Sequence, residues 1–334
     1  MLRLAAFLLP LCLATAAFSA ETQPVLTGDF RIHDPSVIVV DGAWVAFGTG
    51  GPGLSRGAIK IKTSTDGLAW QDAGSIGKGI PDWVQPTLGY QSRELWAPSV
   101  SLHDGTVYLY YAASSFGVNT SAIGLTTNDK FDPRKPAEGW IDRGPVLKSA
   151  TTDNYNAIDA ARIDTPDGRA FLSFGSFWSG IKMRELDPVT GMLKADDPKL
   201  YDVASRGGGA IEASSVLHHG DFYYLFVSYD RCCAGIASTY RIMVGRSASV
   251  FGPYESKDGK PMLASGATEV EKSSGRFIGP GGQEAFTGPD GAPWLAYHFY
   301  DGTDAGVSKL QVAPIRWDAD GWPYLDPLPL ASAN

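Results

Sequence analysis

Apolar and β-branched residues in this sequence come in pairs of short runs, each pair joined by an x-Gly turn. The first pair is Val37-Ile38-Val39-Val40 and Ala43-Trp44-Val45-Ala46-Phe47, around Asp41-Gly42. Val100 to His103 and Thr106 to Tyr111 flank Asp104-Gly105 in the same way. The pattern returns around Asp167-Gly168, around His219-Gly220, and through Asp290-Gly291 into Pro293 to His298. Such units predict hairpins. Turns at 41, 104, 167, 219 and 290 recur roughly every 62 residues, which is too long for a hairpin solenoid and suits a four-stranded propeller blade. Five units fill residues 28 to 325, so the chain reads as all-β, a single-domain five-bladed β-propeller with four-stranded blades over residues 21–334. Two β-sandwiches would also show short, evenly spaced strands, but not one repeat in phase. Asp196 to Ala204 offers at most a turn or two of helix. The last unit holds four β-rich runs of its own (284–287, 294–299, 310–317 and 323–325), which predicts a ring closed without a strand from the N-terminus.

Composition narrows the class. Of 334 residues 44% are apolar and 19% charged, enough for a large core, and 39 Gly with 22 Pro fit a turn-rich chain. A net charge of −8 argues against nucleic acid, which draws on a basic face. Nine Trp, fourteen Tyr and fifteen Phe suit a neutral, stackable ligand such as carbohydrate. Met1-Leu2-Arg3, the apolar run Leu4 to Phe18 and small residues up to Ala20 have the layout of a secretory signal peptide over residues 1–20. Nothing later reaches the about 18 apolar residues of a membrane span. The expectation is an exported chain, periplasmic or extracellular, with no membrane attachment after cleavage. Cys12 leaves with the signal, so only the adjacent Cys232-Cys233 remain, either as a vicinal disulfide or as two reduced thiols.

Aligning the units on their turns brings acids into phase. Seven residues before the turn lie Asp34, Ala97, Glu212 and Gln283; one extra residue in the third unit makes the match there Asp159. The first strand of a blade borders the central channel, so Asp34, Asp159 and Glu212 should converge on one axis. Acids crowded together repel, and the raised proton affinity suits acid–base catalysis. Glycoside hydrolysis needs one carboxylate to activate water and one carboxyl to protonate the leaving oxygen. A calcium cluster or capping of strand ends are the structural alternatives.

The stretches His33-Asp34-Pro35-Ser36-Val37, Leu95-Trp96-Ala97-Pro98-Ser99-Val100, Asn156-Ala157-Ile158-Asp159-Ala160, Ser176-Phe177-Trp178, Ala210-Ile211-Glu212-Ala213-Ser214 and Asp230-Arg231-Cys232-Cys233-Ala234-Gly235, in this order, resemble glycoside hydrolase family 43, and within it the endo-acting arabinanases. The resemblance covers essentially the whole mature chain. It implies an inverting hydrolase of internal α-1,5 bonds, with linear arabinan or arabino-oligosaccharides as its partner, acting as a monomer. Asp34 would be the general base, Glu212 the general acid, and Asp159 the residue that raises the acid's pKa and orients it. Inversion requires the Asp34 and Glu212 carboxyls to stand roughly 6.5–9.5 Å apart. Trp96, Phe116, Gly117, Asn156, Ser176, Phe177 and Trp178 would meet the substrate, whereas Trp44 and Trp294 suit packing between blades. His298 would help hold a hydrated calcium ion in the channel, or else stand as a neutral ring bonded to a carboxylate. One departure is Gly279-Pro280-Gly281-Gly282-Gln283, with Gly-Gln where relatives often carry His-Asn. It leaves open what the fifth blade, and Gln283 with it, gives to the site. Exo-acting relatives and a non-catalytic carbohydrate-binding propeller are the competing functions.

Overall fold

A computed structural model describes residues 21–51 and 56–329; the signal segment read over residues 1–20 lies outside them. The alternating runs form antiparallel hairpins. Ser36–Val40 pairs with Ala43–Gly48 across the first turn, where Asp41 (φ 51°) and Gly42 (φ 79°) supply the two left-handed residues a tight hairpin needs. Lys60–Ser64 and Ala69–Ser75 complete blade 1. Blade 2 runs Leu95–His103, Thr106–Ala113, Ser121–Asn128 and Ile141–Ser149. Blade 3 runs Ala161–Asp164, Ala170–Phe174, Ile181–Leu186 and Tyr201–Ala204. Blade 4 runs Ile211–His219, Phe222–Tyr229, Arg241–Ser247 and Thr268–Glu271. In blade 5, Phe277–Thr287, Pro293–Asp301 and Val307–Pro314 form the sheet.

Each first strand contacts the first strand of the next blade, and the fifth contacts the first, so the ring is closed. The apolar core is split among the five seams between blades. Phe47 and Ile61 pack on Leu109 and Tyr111, for example, and Tyr224 and Phe226 on Leu295 and Tyr297. Trp44 is buried edge-on against Trp70 and Trp294 in the seam of blades 5 and 1, the packing role expected of it and of Trp294.

Three local expectations are corrected. Tyr201–Ala204 is the outer strand of blade 3 and not helix, because Val203 and Ala204 bury into the seam while the strand pairs with Ile181–Leu186. A five-residue helix, Val84–Leu88, stands elsewhere, stopped by Gly89 in the left-handed conformation. Blade 5 does borrow from the N-terminus. Arg31 bridges Lys309, with the Ile32 amide donating to Ser308 and the Leu310 amide to Phe30. Pro323–Tyr324 pairs only with Arg316–Trp317 and stays off that edge. Among the described residues no helix is long and apolar enough to cross a membrane.

Candidate active site

One backbone feature repeats at the start of every inner strand. Asp34 (φ 48°), Ala97 (42°), Asp159 (55°), Ala213 (51°) and Gly282 (58°) are left-handed, and in blades 2, 4 and 5 the pairing register slips there, as in a β-bulge. This sets the true phase. Asp34, Ala97 and Asp159 are equivalent as expected, but their counterpart in blade 4 is Ala213, and in blade 5 it is Gly282 rather than Gln283. His219 pairs with Phe222, so the blade 4 turn is Gly220-Asp221, one residue later than the sequence suggested. Glu212 belongs with His33, Trp96 and Ile158, one position before the bulge, and all four line the same cleft.

That cleft has a volume of about 1330 Å³. It brings together Asp34, Asp159, Glu212, Trp96, Phe116, Gly117, Asn156, Ser176, Phe177 and Trp178, every predicted cleft residue. His298 is buried beneath it. Trp96 and Phe116 form one aromatic pair, with centroids 5.0 Å apart. Phe177 and Trp178 are both left-handed (φ 52° and 38°), an uncommon backbone for bulky residues that is typical of binding sites. Asn156 is committed to structure, its Oδ1 accepting from Ser121 Oγ at 2.7 Å. Cys232 and Cys233 are bonded to each other on the cleft wall, which closes the alternative of free thiols.

The three acids differ in surroundings. Asp34 Oδ2 accepts from His33 Nδ1 at 2.7 Å and Thr49 Oγ1 at 2.6 Å. Burial alone would raise Asp34, but the charge and hydrogen bond of His33, with His298 and Thr49, outweigh it and hold the carboxyl well below its usual range. Glu212 accepts from Tyr240 Oη and Ser176 Oγ, each at 2.6 Å. Burial raises Glu212 in spite of those two bonds. Asp159 is pushed well above its ordinary value by burial and by the Glu212 and Asp34 charges, while its Oδ2 accepts the Ala213 amide at 3.0 Å. The cleft therefore holds one acid whose proton affinity is lowered and two buried acids whose proton affinity is raised, the asymmetry needed for a base and an acid in one site.

Blade 5 contributes by what it lacks. A Cβ at Gly282 would lie 2.6 Å from Asp34 Oδ1 and 2.7 Å from His298 Nδ1, and one at Gly281 would enter the Tyr240 ring. The Gly-Gly pair thus makes room for Asp34 and for the tyrosine that bonds Glu212. Gln283 ties blades 4 and 5 together, accepting from Ser228 Oγ and donating to the Ala213 carbonyl, each at 2.6 Å. His298 accepts the Asp34 amide at Nδ1 (3.1 Å), and burial keeps the ring neutral, well below its usual pKa. Its Nε2 is buried without a partner among the described residues. With Nδ1 accepting, the neutral ring carries its hydrogen on Nε2, so the orphan is a donor that fits a water oxygen, either free or in the shell of a hydrated cation, and offers calcium no lone pair.

Thr49, Tyr240 and Tyr300 escaped the sequence reading because none sits at a repeated position. For Tyr240 a signal existed: two adjacent glycines inside a strand mark the close approach of something bulky.

A closed five-bladed ring with an acid–base set in an aromatic-flanked cleft defines a glycan-cleaving propeller. The chain belongs to the glycosyl hydrolases family 43, whose model matches residues 21–323. It is 40% identical over 311 residues to an extracellular endo-α-(1→5)-L-arabinanase of Bacillus subtilis (strain 168), covering 92% of each chain. It is 37% identical over 306 residues to an extracellular exo-α-(1→5)-L-arabinofuranosidase of Cellvibrio japonicus (strain Ueda107), covering 88% of this chain and 86% of that one. Among solved structures, an endo-arabinanase of Bacillus licheniformis superposes with a TM-score of 0.83 at 41% identity, over 90% of this chain and 99% of the other.

Proposed function

We propose that this protein is an exported endo-α-1,5-L-arabinanase that cleaves internal bonds of linear arabinan, or of arabino-oligosaccharides, with inversion. The observation that carries the reading is the asymmetry of the three acids in one cleft: His33 and Thr49 bond Asp34 and hold it well below its usual range, whereas burial raises Glu212 and Asp159 above theirs. Asp34 takes a proton from water as the water oxygen attacks the anomeric carbon. The glycosidic C–O bond breaks, and the leaving oxygen takes the proton of Glu212. Asp159, buried beside Glu212, disfavours a second charge there and keeps the acid protonated until it is needed.

Trp96 and Phe116 form a floor for a furanose ring, and Phe177, Trp178, Gly117, Asn156 and Ser176 line the remaining wall. At about 1330 Å³ the cleft exceeds the roughly 300–1,000 Å³ of a single small-molecule pocket and suits several linked sugars. The B. subtilis relative supports the endo assignment. Both curated relatives are named extracellular, which together with the N-terminal pattern supports export. A calcium ion, if held through its waters at His298 Nε2, would supply positive charge under the acids.

The test is a product time course on debranched arabinan with xylan as control, alongside NMR of the first-formed anomer. Short oligomers appearing first, with the inverted anomer, are expected. Arabinose alone from the outset would instead indicate exo action, and a retained anomer would overturn the mechanism. Glu212→Gln should abolish the reaction. Running the same course with added calcium and after chelation tests the ion; identical rates would remove it.

A further inference from the structure

The two oxygens of Asp34 are not equivalent. Oδ2 receives two hydrogen bonds, from His33 Nδ1 and Thr49 Oγ1. Oδ1 receives none among the described residues. His298 Nδ1 lies 3.5 Å from it, with its lone pair already facing the Asp34 amide. Behind His33 the contacts continue. His33 Nε2 lies 2.8 Å from Tyr300 Oη, and Tyr300 Oη accepts the backbone N–H of Cys233 at 2.7 Å. The His33 ring is held flat against His298, with centroids 3.9 Å apart. His33 belongs to blade 1, Cys233 to a loop of blade 4 and Tyr300 to blade 5, so three blades meet in one hydrogen-bonded line.

The direction of each bond in that line follows from chemistry. A backbone amide can only donate, so Tyr300 Oη must accept from Cys233. The phenol still carries one hydrogen, and its neighbour in line is His33 Nε2. A carboxylate can only accept, so His33 Nδ1 must carry hydrogen toward Asp34. Nε2 stands against Tyr300 Oη in either charge state of the ring, so both ring nitrogens are held.

We propose that Tyr300, set by the Cys232-Cys233 turn, is a positioning residue for the general base. It holds the His33 ring with Nδ1–H toward Asp34 Oδ2, so that Oδ1 is the oxygen that takes the proton of the attacking water. This rests on the reading of Asp34 as the base. Without the Tyr300 hydroxyl, His33 loses the partner at Nε2 that holds its ring. A ring free to tilt no longer pins Oδ2, and Asp34 is then free to rotate away from the water.

The variant to make is Tyr300→Phe, assayed on a 4-nitrophenyl α-1,5-arabinotrioside with and without sodium azide. Azide attacks the anomeric carbon without surrendering a proton, so it bypasses a damaged base, while the aryl oxygen leaves as before. Tyr300→Phe should lower kcat about 10- to 100-fold, as with other groups that orient an imidazole, while KM stays within about twofold. Azide should restore the rate and yield the inverted glycosyl azide. Glu212→Gln, impaired on the acid side, should gain nothing from azide.

Imidazole nitrogen NMR gives a reading that does not depend on turnover. The His33 Nδ1 proton should exchange slowly with solvent in the natural protein and markedly faster in Tyr300→Phe, with melting temperature checked to confirm folding. An unchanged kcat, a loss confined to KM, or a loss that azide does not repair would each overturn the proposal. Asp34→Asn separates the two levels. If azide rescues Asp34→Asn but not Tyr300→Phe, the base stands and only the relay fails; if it rescues neither, Asp34 is not the base.

Discussion

Glu284 is a buried acid that the proposed reaction does not use. It lies two residues past the bulge of blade 5 and lines the central channel with Asp34 and Asp159. Its Oε1 accepts from Ser99 Oγ at 2.5 Å. Burial pushes the carboxyl up to about 8, although the Ser36 and Ser99 bonds pull the other way. Unfolding returns it to its ordinary 4.5, so between those two values the folded chain binds more protons than the unfolded one and stability falls as pH rises. Below that window both states are protonated and the penalty is absent; above it the penalty is complete. Glu284→Gln keeps an acceptor for the serines and cannot ionise. Its melting temperature should match the natural protein near pH 4 and exceed it progressively up to pH 8.5, measured by calorimetry across that range. A constant offset would mean that Glu284 is ionised in the fold.

The inner-strand bulge is the element that builds the site, and it shows how far the sequence could be read. Four of its five amides donate to a side chain of the preceding blade: Asp34 to His298, Ala97 to Thr49, Ala213 to Asp159 and Gly282 to Ser228. Asp34 and Asp159 were legible because they occupy the repeated position itself. Glu212 was found by an alignment one residue out, and it still reached the cleft because the position before the bulge faces the cleft too. What the repeat could not reveal were the groups that act on the acids from elsewhere. Tyr240 and Thr49 lie beyond the inner strands, and Tyr300 reaches Asp34 only through His33. The Gly-Gln departure left the fifth blade's contribution open, and Gly281-Gly282 is a steric requirement. Gly282→Ala adds a left-handed alanine, at a cost of about 1–2 kcal/mol, and places a methyl against Asp34 Oδ1 and His298. Steady-state kinetics should show kcat down at least about tenfold with little change in KM, since the aromatic walls are untouched. A loss in KM alone would place the damage in substrate binding instead.

At the scale of the whole ring, the question is what holds blade 5 to blade 1. Other blades are built from successive hairpins, but here residues from both ends of the described chain tie the segment leading into blade 1 to blades 4 and 5. The Gln23 amide donates to the Pro327 carbonyl at 2.9 Å. Its side-chain Oε1 accepts from Tyr297 Oη at 2.6 Å, and its Nε2 donates to Glu271 at 2.8 Å. Thr27–Gly28 runs parallel to Ala69–Trp70 on the outer edge of blade 1, before residues 30–32 cross to blade 5. None of this was legible, because two- and three-residue strands carry no alternation and a single glutamine has no pattern. The crossing leads directly into His33 and Asp34, so ring closure and the base share one stretch of chain. Gln23 is only 1% exposed, and truncating it strands the Tyr297 hydroxyl in the core. A buried polar group left unpaired costs about 1–3 kcal/mol. At about 2–4 °C per kcal/mol, Gln23→Ala should lower the melting temperature by roughly 5 °C while unfolding stays a single transition. Glu21→Ala is the control. Glu21 is exposed, and its ion pair with Arg316 should be worth less than about 1 kcal/mol, too little to move the midpoint by more than a few degrees. Equal shifts in the two variants would show that the N-terminal segment is held by its surface charges and not by the buried amide.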